Sequence, residues 1–159
     1  MTITVYRHRP RPIIGMIGMR ADPASEAFEA ALDWLECTGV VVERLDPLAG
    51  ALPADTPAEI RELLTRGEAS LPIIAVGRIV LSHSAMPSRA ALARTVGVGR
   101  LRVRRAIARQ LAAIGAAAAV GTREDIELEI TRARALGISE NAVRAAQQTG
   151  ARFAHVEAA

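Results

Sequence analysis

The sequence predicts an α/β fold in which helices cover a four-stranded mixed sheet, followed by an all-helical C-terminal extension. Three observations lead to this prediction. Over the first 97 residues, short runs rich in β-branched residues alternate with stretches of helical periodicity. Residues 100–159 show helical periodicity throughout. Half of the 159 residues are hydrophobic, which is enough for a buried core. We therefore expect a domain at 1–98 and a helical extension at 99–159, with oligomerisation as one role open to the extension.

The composition limits the classes of protein to which the chain can belong. Its single cysteine, Cys37, excludes an intramolecular disulfide and any site that needs several thiolates from one chain. No apolar run approaches ~20 residues, so we expect no membrane helix. Residues 1–12 are polar and lack the apolar segment of a secretory signal. We expect a cytoplasmic protein that carries neither a cofactor nor a metal ion.

The first half of the domain reads as strand, helix and strand. The β-rich run at 2–6 predicts the first strand. Asp22 and Pro23 are a helix-start signal, with a side-chain acceptor at the N-cap and a proline suited to the first turn. Gly39 is suited to end that helix, and residues 40–45 predict the second strand. An apolar stripe at helical spacing lies between these signals, made of Phe28, Ala31, Leu32 and Leu35.

The second half reads as helix, hairpin and helix. The motif at 56–59 predicts a capping box with proline in the first turn, and Gly67 is suited to close the helix that follows. The apolar runs at 71–76 and 79–82 flank a Gly-Arg turn and predict a β-hairpin. Residues 87–96 predict a short helix. This order of elements resembles the thioredoxin-like fold, in which a cis-proline precedes the third strand, so we expect a cis Leu71–Pro72 bond.

Three helices are predicted after residue 99. Thr122 and Ser139 are suited to N-cap two of them, and Gly137 is suited to end the middle one. The first of the three places apolar residues on one face and arginines on the other. The apolar face comprises Val103, Ile107, Leu111 and Ile114.

All twenty basic residues of the chain are arginines, and two groups of them are candidates for contact with DNA or another anion. One group is a basic arm near the N-terminus, made of Arg7, Arg9 and Arg11 together with His8. The other is an exposed strip on the first extension helix, made of Arg102, Arg105 and Arg109, within a cluster that also holds Arg100 and Arg104. A charged face in contact with solvent is the alternative for both groups.

A second candidate contact is an apolar loop that follows the basic arm. Its apolar side chains, Met19 among them, need a protein environment, and an exposed apolar loop normally marks an interaction site. We expect four of them to contact a protein partner, and packing on the helical extension is the alternative. The four residues are Ile13, Ile14, Met16 and Ile17.

The stretch from 28 to 98 resembles the ArsD family of arsenical-resistance trans-acting repressors and arsenic metallochaperones. The resemblance rests on four collinear motifs, which are Asp33-Trp34-Leu35, the GVVVER run at 39–44, the LPII run at 71–74 and the PSRAALAR run at 87–94. It implies a thioredoxin-like fold and function in arsenical resistance.

The family's cysteines are missing from this chain. In the family, an adjacent pair and a third cysteine after the first strand bind trivalent arsenic or antimony. Aligning Gly15 with the family's loop glycine puts Arg11 and Pro12 at the pair and Ile17 at the third position. Cys37 is at the far end of the following helix. We therefore expect the chain to have lost metalloid coordination.

The extension carries a weaker resemblance to carboxymuconolactone decarboxylase-like helices. The matching segments are 116–121 and 132–140, and Glu129 occupies the position of the decarboxylase histidine. A divergent enzyme of that type is one alternative. Another alternative is an adaptor or metallochaperone-like partner of an arsenical pump ATPase. The leading expectation is a non-enzymatic, DNA-binding transcriptional regulator of the ArsD type, assembled as a homodimer or a higher homo-oligomer.

Overall fold

The computed structural model describes residues 1–8 and 22–157, with side chains up to residue 154. Its elements follow the predicted order. The strands are β1 (Thr2–Tyr6), β2 (Val41–Leu45), β3 (Ile73–Val76) and β4 (Ile79–His83). The helices are α1 (Pro23–Cys37), α2 (Ala58–Thr65), α3 (Arg89–Thr95), α4 (Arg100–Val120), α5 (Arg123–Leu136) and α6 (Glu140–Glu157). A short 3-10 turn at Glu68–Ser70, which the sequence pattern did not predict, precedes β3.

The chain divides into two compact units. The first comprises Met1–Glu36 and Val40–Gly97, and the second comprises Cys37–Gly39 and Val98–Ala159. The assignment of Cys37–Gly39 to the helical unit was not expected from the sequence. Within the described residues, none of the helices is both long and apolar enough to cross a membrane.

The first unit contains a four-stranded mixed sheet in the order β2-β1-β3-β4. β1 pairs in parallel with β2 and antiparallel with β3, and β3 pairs antiparallel with β4. With its helices, this sheet has the βαβαββα order, so the predicted fold class, an α/β fold with a thioredoxin-like sheet and a helical extension, is confirmed. The Leu71–Pro72 bond is cis, as predicted.

The apolar side chains of α2 pack against one side of this sheet. Ile60 and Leu63 of α2 are buried together with Tyr6, Ile73 and Ala75 of the strands. Because alternate strand residues point to opposite faces, these strand positions present one continuous apolar surface. The predicted stripe of α1 is also buried, with Leu32 and Leu35 at 0% exposure.

The two helix-start signals of the first unit had different outcomes. The carboxylate of Asp22 accepts the backbone N–H of Ser25 at 3.2 Å, which confirms it as the N-cap of α1. The predicted capping box at 56–59 is wrong, because Pro57 rather than Thr56 occupies the N-cap of α2 and no side chain caps that helix. The Thr56 hydroxyl instead donates to the Pro53 carbonyl at 2.7 Å.

The second unit is built from α4, α5 and α6 around a small core. Ile114, Ala133 and Val143 supply one buried side chain from each helix. Thr122 caps α5 in a reciprocal capping box with Asp125, and Gly137 ends α5 with a left-handed backbone at φ 75°. Both signals were predicted from the sequence, and each satisfies backbone groups at a helix end.

Candidate nucleic-acid interface

Helix α4 concentrates positive charge in its first half. It carries five arginines and no acidic residue. Cations in the first turn of a helix oppose the helix dipole, so Arg100 and Arg102 disfavour the start of their own helix. The residue before the helix, Gly99, has no side chain to cap it. The five arginines are Arg100, Arg102, Arg104, Arg105 and Arg109.

Three of these side chains form an exposed surface that we name the α4 arginine strip. It consists of Arg104, Arg105 and Arg109, all of them exposed. In the part of the chain that the structure describes, none of the three lies within 4.0 Å of a carboxylate. Arg105 and Arg109 are four residues apart and therefore neighbours on the helix, where like charges repel. A polyanion would relieve this repulsion, and the guanidinium group is well suited to phosphate.

Arg102 does not belong to this strip, although the sequence analysis placed it there. Its Nε donates to the Thr38 carbonyl at 2.9 Å and its Nη2 donates to the Gly39 carbonyl at 2.7 Å. These carbonyls follow the last turn of α1, where backbone acceptors lack helical partners. The predicted placement of Arg102 is wrong because its guanidinium serves as a cap within the second unit.

The basic arm is represented in the described residues by Arg7 and His8. The Arg7 guanidinium lies 2.6 Å from Glu29 and also donates to the Ser25 hydroxyl. Arg7 is thus engaged by α1 of its own unit, and we leave it out of the interface. Arg9 and Arg11 lie outside the described residues, and so do the predicted loop contacts Ile13, Ile14, Met16 and Ile17.

Arg44 of β2 forms ion pairs with three carboxylates on the acidic face of α1. The Arg44 guanidinium lies 2.7 Å from Glu36, 2.9 Å from Asp33 and 3.4 Å from Glu29. Its hydrogen bond with Glu36 raises the pKa of Arg44. Burial raises the pKa of Asp33, while the positive charge of Arg44 opposes that rise. These carboxylates are occupied by a network of ion pairs within the first unit.

Glu129, which the sequence resemblance aligns with the decarboxylase histidine, is also held by its neighbours. Its two carboxylate oxygens lie 2.5 Å from the Gln110 amide and 2.6 Å from the Arg132 guanidinium. Gln110 bonds the Glu129 carbonyl as well, at 2.9 Å, which links α4 to α5. Glu129 therefore serves to link α4 and α5. Among the described residues, no three His, Cys, Asp or Glu side chains come together as a group able to hold a metal ion.

A polar cavity of about 460 Å³ lies beside the sheet of the first unit. Its wall includes Thr4, Tyr6, Glu43, Asp55 and Arg78. Burial raises the pKa of Tyr6, and the nearby carboxylates act in the same direction. The charged side chains of this wall, Glu43, Asp55 and Arg78, are exposed. We do not include this cavity in the candidate interface.

A second concave surface, the α4/α6 groove, has a volume of about 620 Å³ and was not predicted from the sequence. It lies beside the contact between Gly115 and Gly150. A Cβ added at Gly150 would lie 1.9 Å from the Gly115 carbonyl oxygen, so the two backbones touch directly. The glycines at 115 and 150 were a signal for this contact in the sequence, because glycine within a helix often marks a position where another backbone packs closely. The groove-lining side chains are Leu111, Ala112, Ala116, Ala119, Ala142, Ala145, Ala146, Thr149 and Phe153.

Comparison with known proteins adds no assignment. No protein-family model matches the chain, and no curated protein matches it.

Proposed function

We propose that this chain is a non-enzymatic, ArsD-like transcriptional regulator that binds DNA through the α4 arginine strip and that has lost arsenic and antimony coordination. In this proposal the chain acts in the cytoplasm as a homo-oligomer. The arginines contact phosphates and so fix the position of the protein on the duplex.

The observation that carries the proposal is the unopposed charge of α4. Arg104, Arg105 and Arg109 are exposed and lack a carboxylate partner among the described residues. Elsewhere in the second unit, Arg123 and Arg132 have carboxylate partners in Glu127 and Glu129, while Arg134 and Arg144, one on each of α5 and α6, have none among the described residues. A helix with several exposed arginines and no acidic residue has a charge that is complementary to a phosphate backbone.

The loss of metalloid coordination is supported by the sequence at the matching positions. Arg11, Pro12 and Ile17 replace the three thiols that the family uses. Cys37 supplies one sulfur, whereas a trigonal site for a soft metalloid needs three. A regulator of this kind would respond to a signal other than arsenite.

DNA binding by the full chain tests the proposal directly. A mixed-sequence 30-base-pair duplex labelled with a fluorophore is titrated at 50 mM salt and read by anisotropy. Because phosphate contacts are independent of sequence, the operator need not be known. We expect the triple variant Arg104→Gln, Arg105→Gln, Arg109→Gln to bind at least roughly tenfold more weakly than the wild type.

A matched control separates this surface from the overall charge of the protein. Arg123, Arg134 and Arg144 are exposed residues of α5 and α6, and their replacement by glutamine removes the same charge of three. The control triple should bind DNA with close to wild-type affinity. Equal losses in the two triples, or no binding by the wild type at 50 mM salt, would overturn the proposal.

A further inference from the structure

The α4/α6 groove has the chemistry of a binding site for an apolar chain. Its volume of about 620 Å³ falls within the range of small-molecule sites. Alanines and glycines supply most of its wall, and Phe153 stands at the wall with 66% of its surface exposed. The one polar side chain, Thr149, donates its hydroxyl proton to the Ala145 carbonyl at 2.9 Å. The groove therefore presents apolar surface to a ligand.

The shape of the groove follows from the glycine contact. Gly115 and Gly150 let the backbones of α4 and α6 meet, and the short alanine side chains beside the contact do not fill the space between the helices. Ala116 and Ala145 are exposed on the two walls. An apolar chain laid along these walls would remove their surface from water, and each methylene group would add to the affinity.

Two arginines of the strip, Arg105 and Arg109, precede the groove wall on the same side of α4. Arg105, Arg109, Ala112 and Ala116 are spaced by four, three and four residues, so they lie along one strip of α4. Arg109 precedes Ala112 by three residues, or about 4.5 Å along the helix axis. Arg109 thus lies about one turn of α4 before the groove wall and Arg105 about two turns before it, and both are exposed cations that lack carboxylate partners among the described residues.

We propose that the α4/α6 groove binds a monomeric long-chain carboxylate, with its chain along the alanine walls and its carboxylate on Arg109 and Arg105. Charge complementarity selects this occupant, because an anionic head satisfies the cations and an apolar tail fills the groove. A second copy of the chain is less well matched, since a dimer through this face would bring two cationic strips into one interface. This binding site is inferred from the groove and the two arginines, and it does not depend on the proposed DNA-binding function.

Calorimetric titration of the full chain with monomeric dodecanoate tests this site. We expect saturable binding of one carboxylate per chain, and we expect affinity to rise from hexanoate through decanoate to dodecanoate. Dodecyltrimethylammonium, which has the same chain and the opposite charge, should bind at least roughly tenfold more weakly. Equal affinity for the two head groups, or no dependence on chain length, would overturn the proposal.

Two groove variants and one arginine variant localise the binding. Ala116→Trp fills the groove from an exposed position and should abolish dodecanoate binding, while Ala145→Leu, from the opposite wall, should weaken it. Arg109→Gln should weaken dodecanoate binding roughly tenfold, while the α5 control Arg134→Gln should not change it. Undiminished binding by both groove variants would overturn the site.

Other occupants would give distinct results. Binding to phosphatidylglycerol vesicles without binding to monomeric dodecanoate would replace the proposal with a membrane contact. A dimer that Ala116→Trp dissociates, again without carboxylate binding, would replace it with an interface between copies. DNA binding by Ala116→Trp should match the wild type, so failure of this site and failure of the proposed DNA surface can be told apart.

Discussion

Arg102 and Arg105 are three residues apart on α4, and exchanging each for methionine should have opposite consequences. Methionine keeps an unbranched apolar stem and removes the guanidinium. Arg102 donates to the carbonyls of Thr38 and Gly39 at 2.9 and 2.7 Å, so Arg102→Met leaves two acceptors without their donor. Arg105 is exposed and makes no such bond within the described residues.

The size of the stability effect follows from these two bonds. A hydrogen bond with a charged partner contributes about 1.5–3 kcal/mol, and partial exposure of Arg102 reduces the value, because water can replace the lost donor. We expect Arg102→Met to lower the free energy of unfolding by about 1–3 kcal/mol. For a chain of this length, that corresponds to a decrease in Tm of about 2–12 °C. Arg105→Met should stay within about 0.5 kcal/mol of the wild type.

Two assays on each variant complete the comparison. Urea unfolding followed by circular dichroism gives the midpoint, and anisotropy at 50 mM salt gives the affinity for DNA. Arg102→Met should lose stability and keep most of its affinity, while Arg105→Met should do the reverse. An unchanged urea midpoint for Arg102→Met would refute its structural role, and so would a loss of affinity equal to that of Arg105→Met.

Three further predictions concern helix packing, helix capping and the single thiol. Gly150→Ala should destabilise the chain by about 1–3 kcal/mol in urea, because its Cβ would lie 1.9 Å from a backbone oxygen of α4. Gly99→Ala, with open space around its Cβ, should lower the free energy of unfolding by less than about 1 kcal/mol. Equal urea midpoints for the two variants would exclude the close contact between Gly115 and Gly150. Hydrogen bonds from Thr122 lower the pKa of Asp125, so its contribution to stability should be complete above the ordinary pKa of aspartate and be lost as the pH falls through the lowered value. Thermal melts from pH 6 to pH 2 should therefore lose less stability in Asp125→Asn than in the wild type, and parallel losses would contradict this. The reduced chain should not retain arsenite through gel filtration, because Cys37 supplies a single sulfur; stoichiometric retention would reinstate a metallochaperone role.

Local signals were sufficient to predict most elements of the fold. The β-branched run of β1, the Asp22 cap and the left-handed glycines at 39 and 137 each act through residues close in sequence. Their physical causes, strand preference, backbone capping and freedom at positive φ, can be read from a few neighbouring residues. The thioredoxin-like order then followed from the succession of these elements.

The candidate site depended on contacts between distant residues, and there the prediction was incomplete. Helical periodicity places Arg102 on one side of α4, but it does not reveal that carbonyls 63 and 64 residues earlier lie within reach. The groove depends on Gly115 meeting Gly150, two positions that belong to different helices. Long-range partners of this kind are set by tertiary packing, which the local patterns of a sequence do not reveal.

The salt dependence of DNA binding tests the role of the arginine strip most directly. If Arg104, Arg105 and Arg109 each contact one phosphate, they contribute about 2.7 to the slope of log affinity against log salt for each bound chain. That slope corresponds to an affinity about 40-fold lower at 200 mM salt than at 50 mM salt. The triple glutamine variant should lose this part of the slope, while the control triple on α5 and α6 should keep it. Identical slopes for the wild type and the α4 triple variant would contradict DNA binding through α4.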